Sequence, residues 1–322
     1  MTASTALQSS IAFAPTTLGR ISLSNHLVMG PMTRSRALGS VPNAMMAEYY
    51  RQRASAGLIL TEGTAPSPSG LGYARIPGLF NAEQVKGWRL TTEAVHAAGG
   101  RIFVQLMHVG RIFHSLNLPQ GAEGVAASTV AAAGDMWTDQ EQMKPNGTPR
   151  ALTTLEVATV RDEYVRSATL AIEAGFDGVE LHGANGYLLE QFLHPRTNQR
   201  TDTYGGSARN RARFVIEVAR GIADAIGADR TGIRLSPWST FNDMAHFPET
   251  DEQYGYLAGE LQKIGIVYVH LVDHSRLAGL AQAAATIKVI RSAFTGRYIS
   301  SGNYTTVKTA GMSTLPIFQV TP

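Results

Sequence analysis

His182, Asn185 and Tyr187 fall within six residues of one another. They lie where the run Phe176-Asp177-Gly178-Val179-Glu180-Leu181 gives way, through Gly183 and Gly186, to Tyr187-Leu188-Leu189-Glu190-Gln191-Phe192. The first run reads as a buried strand and the last has a helical period, so the three polar residues mark a strand-to-helix junction. α/β folds place their chemistry at such junctions. A neutral histidine and an asparagine can each donate to one oxygen, and a tyrosine offers an O–H with an ordinary pKa of about 10. Two fixed donors beside a neutral acid suit an enzyme that polarises a carbonyl-type oxygen and delivers a proton nearby.

The elements that must position these residues repeat along the chain. Strand patterns at 25–31, 57–62, 101–107, 176–181, 231–236, 266–272 and 296–301 alternate with helical stretches at 44–54, 81–98, 153–174, 187–192, 251–264 and 282–292, with a helical start at Thr305. Asn81 with Gln84, and Thr153 with Glu156, have the spacing of helix caps and their partners three residues on. The strands are apolar throughout rather than alternating, which indicates a parallel sheet covered by helices. Units of roughly 30 residues predict a single-domain TIM (β/α)8 barrel over residues 1–322, better than a doubly wound sheet. No GxGxxG turn follows the first strand. The Gly/Ala/Pro-rich segment 110–152 is too long for an ordinary loop and is expected to be an excursion over the active-site face.

In such a barrel the C-terminal strand ends form that face. Here they are Thr33, Gly63 with Thr64, Gln105 with His108, His182, Arg234, and Gly302 with Asn303. Singly, Arg234 reads as a buried ion-pair partner, Gln105 as a satisfied core amide, Thr33 as a cap and His182 as a core histidine. Contributed to one face by several strands, they read together as a site. A glutamine, a threonine and an arginine around a planar heterocycle suit a flavin, whose pyrimidine edge gains negative charge on reduction.

Composition narrows the class. The 322 residues are 44% hydrophobic and 16% charged, enough for a sizeable core, and the net charge of +3 is too mild to argue for nucleic acid. The chain has no cysteine, which excludes disulfides, thiolate catalysis and cysteine-ligated metals or clusters. MTASTALQSS lacks the pattern of a signal peptide, and no apolar run approaches the roughly 20 residues of a membrane span. A cytoplasmic protein is expected, with a homo-oligomer left open. No lysine falls at a strand end, against a Schiff-base aldolase, and no His-x-His pair supports a metal-dependent hydrolase.

HGANGYLLEQFL, followed by NQRTDTYGGSARNRARF, resembles the signature of the old yellow enzyme family, the FMN-dependent ene-reductases. The resemblance extends from about Ser22 to about Gly311. It implies that Pro31, Thr33, Gly63, Gln105 and Arg234 hold FMN. Gly302 and Asn303 would supply the strand-seven half of its phosphate site. His182 and Asn185 would bind the oxygen of the substrate's activating group, with Tyr187 as the proton donor. Tyr73 and Met107 would line the substrate pocket, Met107 standing where several relatives carry tryptophan. The implied reaction is ping-pong: NADPH or NADH reduces the flavin, and an α,β-unsaturated carbonyl or nitro compound is reduced in turn. Asp202, Tyr204, Arg209, Arg211 and Arg213 look catalytic by composition, but the Gly205-Gly206 turn beside them makes a scaffold the expected role.

The likeness fades before the final STLPIFQVTP. The family pattern would add an eighth strand ending in Gly-Arg, and without one the sheet would have two open edges. Ile317-Phe318-Gln319-Val320 offers a short substitute, but the tail brings no basic residue to a phosphate. The expectation is therefore that FMN binds weakly or not at all and that the C-terminus reflects a truncation or frameshift. The alternative function is that of a flavin-free, inactive remnant with at most a ligand-binding role.

Overall fold

Seven of the eight barrel strands fall on the apolar runs expected of them. The structure, a computed structural model, describes residues 11–302 and 317–320. In chain order the barrel strands are β1 (Leu27–Met29), β2 (Leu58–Thr64), β3 (Ile102–Leu106), β4 (Gly178–Gly183), β5 (Thr231–Leu235), β6 (Tyr268–Val272), β7 (Arg297–Ser301) and β8 (Ile317–Val320). All pairings between neighbours are parallel, and the sheet closes on itself. The open edges that the altered C-terminus threatened are absent. Ile317 and Phe318 register with Ile299 and Ser300 of β7, while Phe318, Gln319 and Val320 register with Leu27, Val28 and Met29 of β1. Four residues suffice because β1 is itself only three residues long. The helical start at Thr305 lies outside the described residues.

The covering helices are α1 (Ala44–Arg51), α2 (Ala82–Ala97), α3 (Thr154–Glu173), α4 (Leu188–Leu193), α5 (Ala208–Ile226), α6 (Thr250–Ile264) and α7 (Ala281–Ala293). Thr153 and Glu156 form the expected reciprocal cap: each side chain takes the other's backbone N–H, at 3.2 and 2.7 Å. Asn81 caps Gln84 N–H at 2.9 Å, but Gln84 Oε1 reaches back to Phe80 N–H rather than to Asn81. The return contact is displaced by one residue.

Two features were not read from the sequence. An antiparallel hairpin, Thr16–Leu18 with Ile21–Leu23, buries Leu18 and Leu23 against Val28, Leu58, Phe103 and Tyr268, plugging the barrel at its N-terminal end. The excursion at 110–152 is also more regular than expected. It holds a hairpin, Asp135–Thr138 with Gln142–Pro145, and a short parallel pair, Val125–Ala126 with Arg150–Ala151.

Candidate active site

Alternation along the strands builds the site in layers. In β3, β4, β5 and β6 the residues Val104, Leu106, Val179, Leu181, Ile233, Leu235, Val269 and Leu271 enter the core beneath the helices. Their neighbours turn into the barrel. Phe103 and Tyr268 lie lowest, against the hairpin plug. Gln105, Glu180 and His270 form a polar layer above them, joined by hydrogen bonds. His182 and Arg234 stand directly opposite each other in the ladder at the C-terminal end.

The polar layer converges on Glu180, which is fully buried. Its carboxylate accepts from Gln105 Nε2 at 2.7 Å and Tyr268 O–H at 3.1 Å, and lies 2.9 Å from His270 Nδ1. Burial works to raise the carboxyl pKa, but His270, Arg234 and Gln105 outweigh it and hold Glu180 below its ordinary value. The bond to Glu180 also settles the orientation of Gln105. One amide N–H faces the carboxylate, which leaves the second N–H and the carbonyl oxygen for a ligand.

His182 is 4% exposed, and its Nδ1 is buried with no hydrogen-bond partner among the described residues. A buried group left so costs about 1–3 kcal/mol. Burial, reinforced by the charges of Arg234 and His270, holds its pKa well below the ordinary value, so the ring is neutral at pH 7. Its ring and that of Tyr187 pack edge-to-face, with centroids 4.7 Å apart. Tyr187 O–H in turn lies 3.1 Å from Tyr73 O–H, the two rings also edge-on. Burial raises the pKa of Tyr187 despite the opposing effects of Tyr73, Asn242 and Arg234, so its proton is present at neutral pH. Asn185 takes a left-handed backbone conformation (φ 58°), as does Gly186 (φ 77°). Asparagine and glycine are the residues that adopt it most readily.

Tyr73, Met107 and Tyr187 share an apolar cluster with Ile112, Phe113, Ala132 and Met136 of the excursion. Met107 also explains Gly63: a Cβ there would stand 2.5 Å from Met107 Sδ. Thr33 is exposed and Pro31 partly buried beyond the end of β1. Gly302 is buried beside Asp273 and Arg276. Asn303 lies outside the described residues.

These residues fit a flavin. A glycine backbone, a threonine hydroxyl, an amide with free donor and acceptor, and an arginine charge are carried to one mouth by four strands or their ends. His108 shows what the site is not. Its Nδ1 accepts from Gly110 N–H at 3.1 Å, so Nε2 carries the proton and donates toward Ser69 Oγ at 3.2 Å. A histidine that activates a serine nucleophile needs the opposite arrangement.

The residues after β4 serve as scaffold. Arg200 pairs with Asp202 and reaches the carbonyls of Ala127 and Leu152, while Asp202 accepts from Thr154. Tyr204 donates to Glu217, Arg211 ties Leu193 to Gln253, Arg213 holds the Thr203 carbonyl, and Arg209 lies over the Tyr256 ring. Glu180, His270, Glu190, Ser236 and Asn242, by contrast, were missed as site residues. The available signal was an ionisable or polar residue inside an apolar run, as in Val179-Glu180-Leu181 and Val269-His270-Leu271.

A barrel with this mouth is the architecture of a flavin-dependent oxidoreductase, and comparison with known proteins makes the class specific. The sequence profile of the NADH:flavin oxidoreductase / NADH oxidase family matches residues 12–314. Chanoclavine-I aldehyde reductase of Penicillium roqueforti is 45% identical over 279 residues, which span 85% of this chain and 72% of that protein. Morphinone reductase superposes with a TM-score of 0.88 at 40% identity, covering 96% of this chain and 86% of its own. Its complex with tetrahydroNAD matches as well, with a TM-score of 0.86. The old yellow enzyme homologue from Zymomonas mobilis superposes with a TM-score of 0.85 at 36% identity, covering 91% of this chain and 82% of its own. The chain belongs to the NADH:flavin oxidoreductase / NADH oxidase family and is of the old yellow enzyme type. Its cofactor is FMN, with a nicotinamide as reductant, and its activity is that of an ene-reductase.

Proposed function

We propose that the substrate is an electron-poor alkene, an α,β-unsaturated carbonyl or nitro compound, bound by its oxygen between His182 and Asn185. FMN, when bound, would supply hydride chemistry between NADPH or NADH and the β-carbon of the alkene. Pro31, Thr33, Gly63, Gln105 and Arg234 would hold the flavin, and Gly302 and Asn303 would supply the strand-seven half of its phosphate site. The neutral His182 ring and the Asn185 amide donate to the substrate oxygen, stabilising the charge that develops there. Tyr187 protonates the α-carbon, and Tyr73, hydrogen-bonded to it, keeps the phenol aimed. Tyr73 and Met107 line the wall of the alkene pocket. The partner is a small molecule rather than nucleic acid or membrane. Among the described residues no helix is long and apolar enough to cross a membrane, and we place the protein in the cytoplasm.

The observation that carries this reading is the buried, unpartnered Nδ1 of a neutral His182 packed against an unionised Tyr187. The test is the visible spectrum after FMN addition and desalting. A retained flavin band, bleached by NADPH and restored by cyclohexenone without oxygen, is the expected result. A colourless protein would favour the flavin-free remnant instead, a reading supported by the lack of a basic residue in Ile317–Val320.

A further inference from the structure

Every backbone group of the turn from Asn185 to Tyr187 has a partner, and the partners of the Asn185 and Gly186 amides lead to one carboxylate. Gly186 N–H donates to Glu190 Oε2 at 2.6 Å. Asn185 N–H donates to Ser236 Oγ at 2.7 Å, and Ser236 passes its own hydrogen to Glu190 Oε1 at 3.0 Å. Tyr254 of α6 donates to the same oxygen at 2.9 Å. The carbonyls are held as well: Asn185 by Asn242, Gly186 by the Gln191 side chain, and Tyr187 by the Gln191 N–H. Successive backbone N–H groups in a turn form a concavity that binds anions. Here the protein fills it with its own Glu190, 3% exposed and one helical turn away.

We propose that Glu190 is a positioning residue for the ene reduction: its carboxylate fixes the Asn185–Gly186 turn, so that substrate-oxygen binding and proton delivery depend on its ionised form. The proposal rests on the roles given above to His182, Asn185 and Tyr187. An ionised carboxylate can accept all three donors at once. A protonated one carries a hydrogen that opposes one of these donors, the Gly186 N–H if it sits on Oε2 and the Ser236 or Tyr254 hydroxyl if it sits on Oε1. The groups facing Glu190 are the Gly186 amide from the turn, Ser236 after β5 and Tyr254 from α6. Tyr254 is the titratable member, and no charged side chain contributes to the shift. Burial accordingly pushes the Glu190 carboxyl up to about 7, against the smaller opposing pull of those three donors. The turn therefore tightens as pH rises through neutrality.

The test compares the FMN-loaded wild type with Glu190→Gln, close in shape to glutamate, and Glu190→Ala. Flavin reduction by NADPH and reoxidation by cyclohexenone are measured separately by anaerobic stopped flow, from about pH 5.5 to about pH 9. The expected wild-type reoxidation rate falls about fivefold or more on the acid side with one titrating group. Glu190→Gln should be slower by about tenfold at pH 8 and flat with pH, with NADPH reduction changed less than about twofold. Infrared titration of the flavin-free chain gives a readout independent of turnover: a carboxyl band with a midpoint near neutrality, absent in Glu190→Gln. A Glu190→Gln pH profile superimposable on the wild type overturns this proposal alone. A wild type reduced by NADPH but not reoxidised by cyclohexenone at any pH overturns the reading of the site, and this proposal with it. Should Glu190→Ala not fold, the glutamine variant decides the matter.

Discussion

The phenol of Tyr187 lies 3.1 Å from the phenol of Tyr73, although 114 residues separate them in the chain. The contact joins the turn after β4 to the loop after β2, and both rings are packed by the excursion. Tyr187→Phe should therefore separate the two half-reactions. Reoxidation by cyclohexenone is expected to slow by about 10²- to 10³-fold, with NADPH reduction nearly unchanged. Tyr73→Phe, which keeps the ring and loses only the aiming hydroxyl, should cost about tenfold or less in the same step. Equal losses in both half-reactions would mean that Tyr187 serves flavin binding rather than protonation.

Glu190 should leave a signature in stability. Its folded pKa of about 7 stands above the unfolded value of about 4.3. Between these the folded chain binds the proton more tightly than the unfolded chain, so its contribution to stability is full at low pH and is lost as pH rises to about 7. Glu190→Gln should then match the wild type near pH 4 and exceed it by about 1–3 kcal/mol at pH 8. Urea denaturation at both pH values checks this. Taking the difference from wild type cancels His108, lowered to about 3 by burial, and His182, both of which act in the opposite sense. A variant less stable at pH 8 would show that the carboxylate supports the fold more than its burial costs.

Gly63 and Met107 should be energetically coupled. Gly63→Ala brings a methyl group to within 2.5 Å of Met107 Sδ, and overpacking of this kind costs about 1–3 kcal/mol. Met107→Ala creates the missing space, so the double variant should recover at least half of the loss from Gly63→Ala, measured by denaturation. Strict additivity would place the strain of Gly63→Ala elsewhere.

The phosphate of FMN should matter less here than its ring. The closing strand Ile317–Val320 has no basic residue, and Arg276, which stands beside Gly302, is already paired with Asp273 at 3.0 Å. Titration calorimetry is expected to give FMN and riboflavin affinities within about tenfold of each other, roughly one charge-assisted hydrogen bond of difference. A preference for FMN of about a thousandfold or more would point to a phosphate site built by other residues.

Much of this protein was legible without coordinates because the determining signals are local. Apolar runs of five to seven residues place β2 to β6, and the Thr153–Glu156 box fixes the start of α3. The short β8 was the hard case. Ile317–Val320 became a strand because two neighbours present unpaired edges to it, and one of them, β1, lies at the opposite end of the chain. The hairpin at Thr16–Leu18 and Ile21–Leu23 was overlooked because three-residue strands are too short to show a period.

The sequence by itself determined the order of elements, the barrel class and the cluster His182, Asn185, Tyr187, since strand period, helix period and turn residues act over a few neighbours. Only the tertiary structure decided how the polar residues are used. A glutamate in an apolar strand or helix reads alike whether it faces water or the interior. It took closure of the barrel to bring Gln105, Tyr268 and His270 onto Glu180, and Ser236 and Tyr254 onto Glu190. Burial then makes each of those hydrogen bonds obligatory, because a carboxylate removed from water must find its partners within the fold.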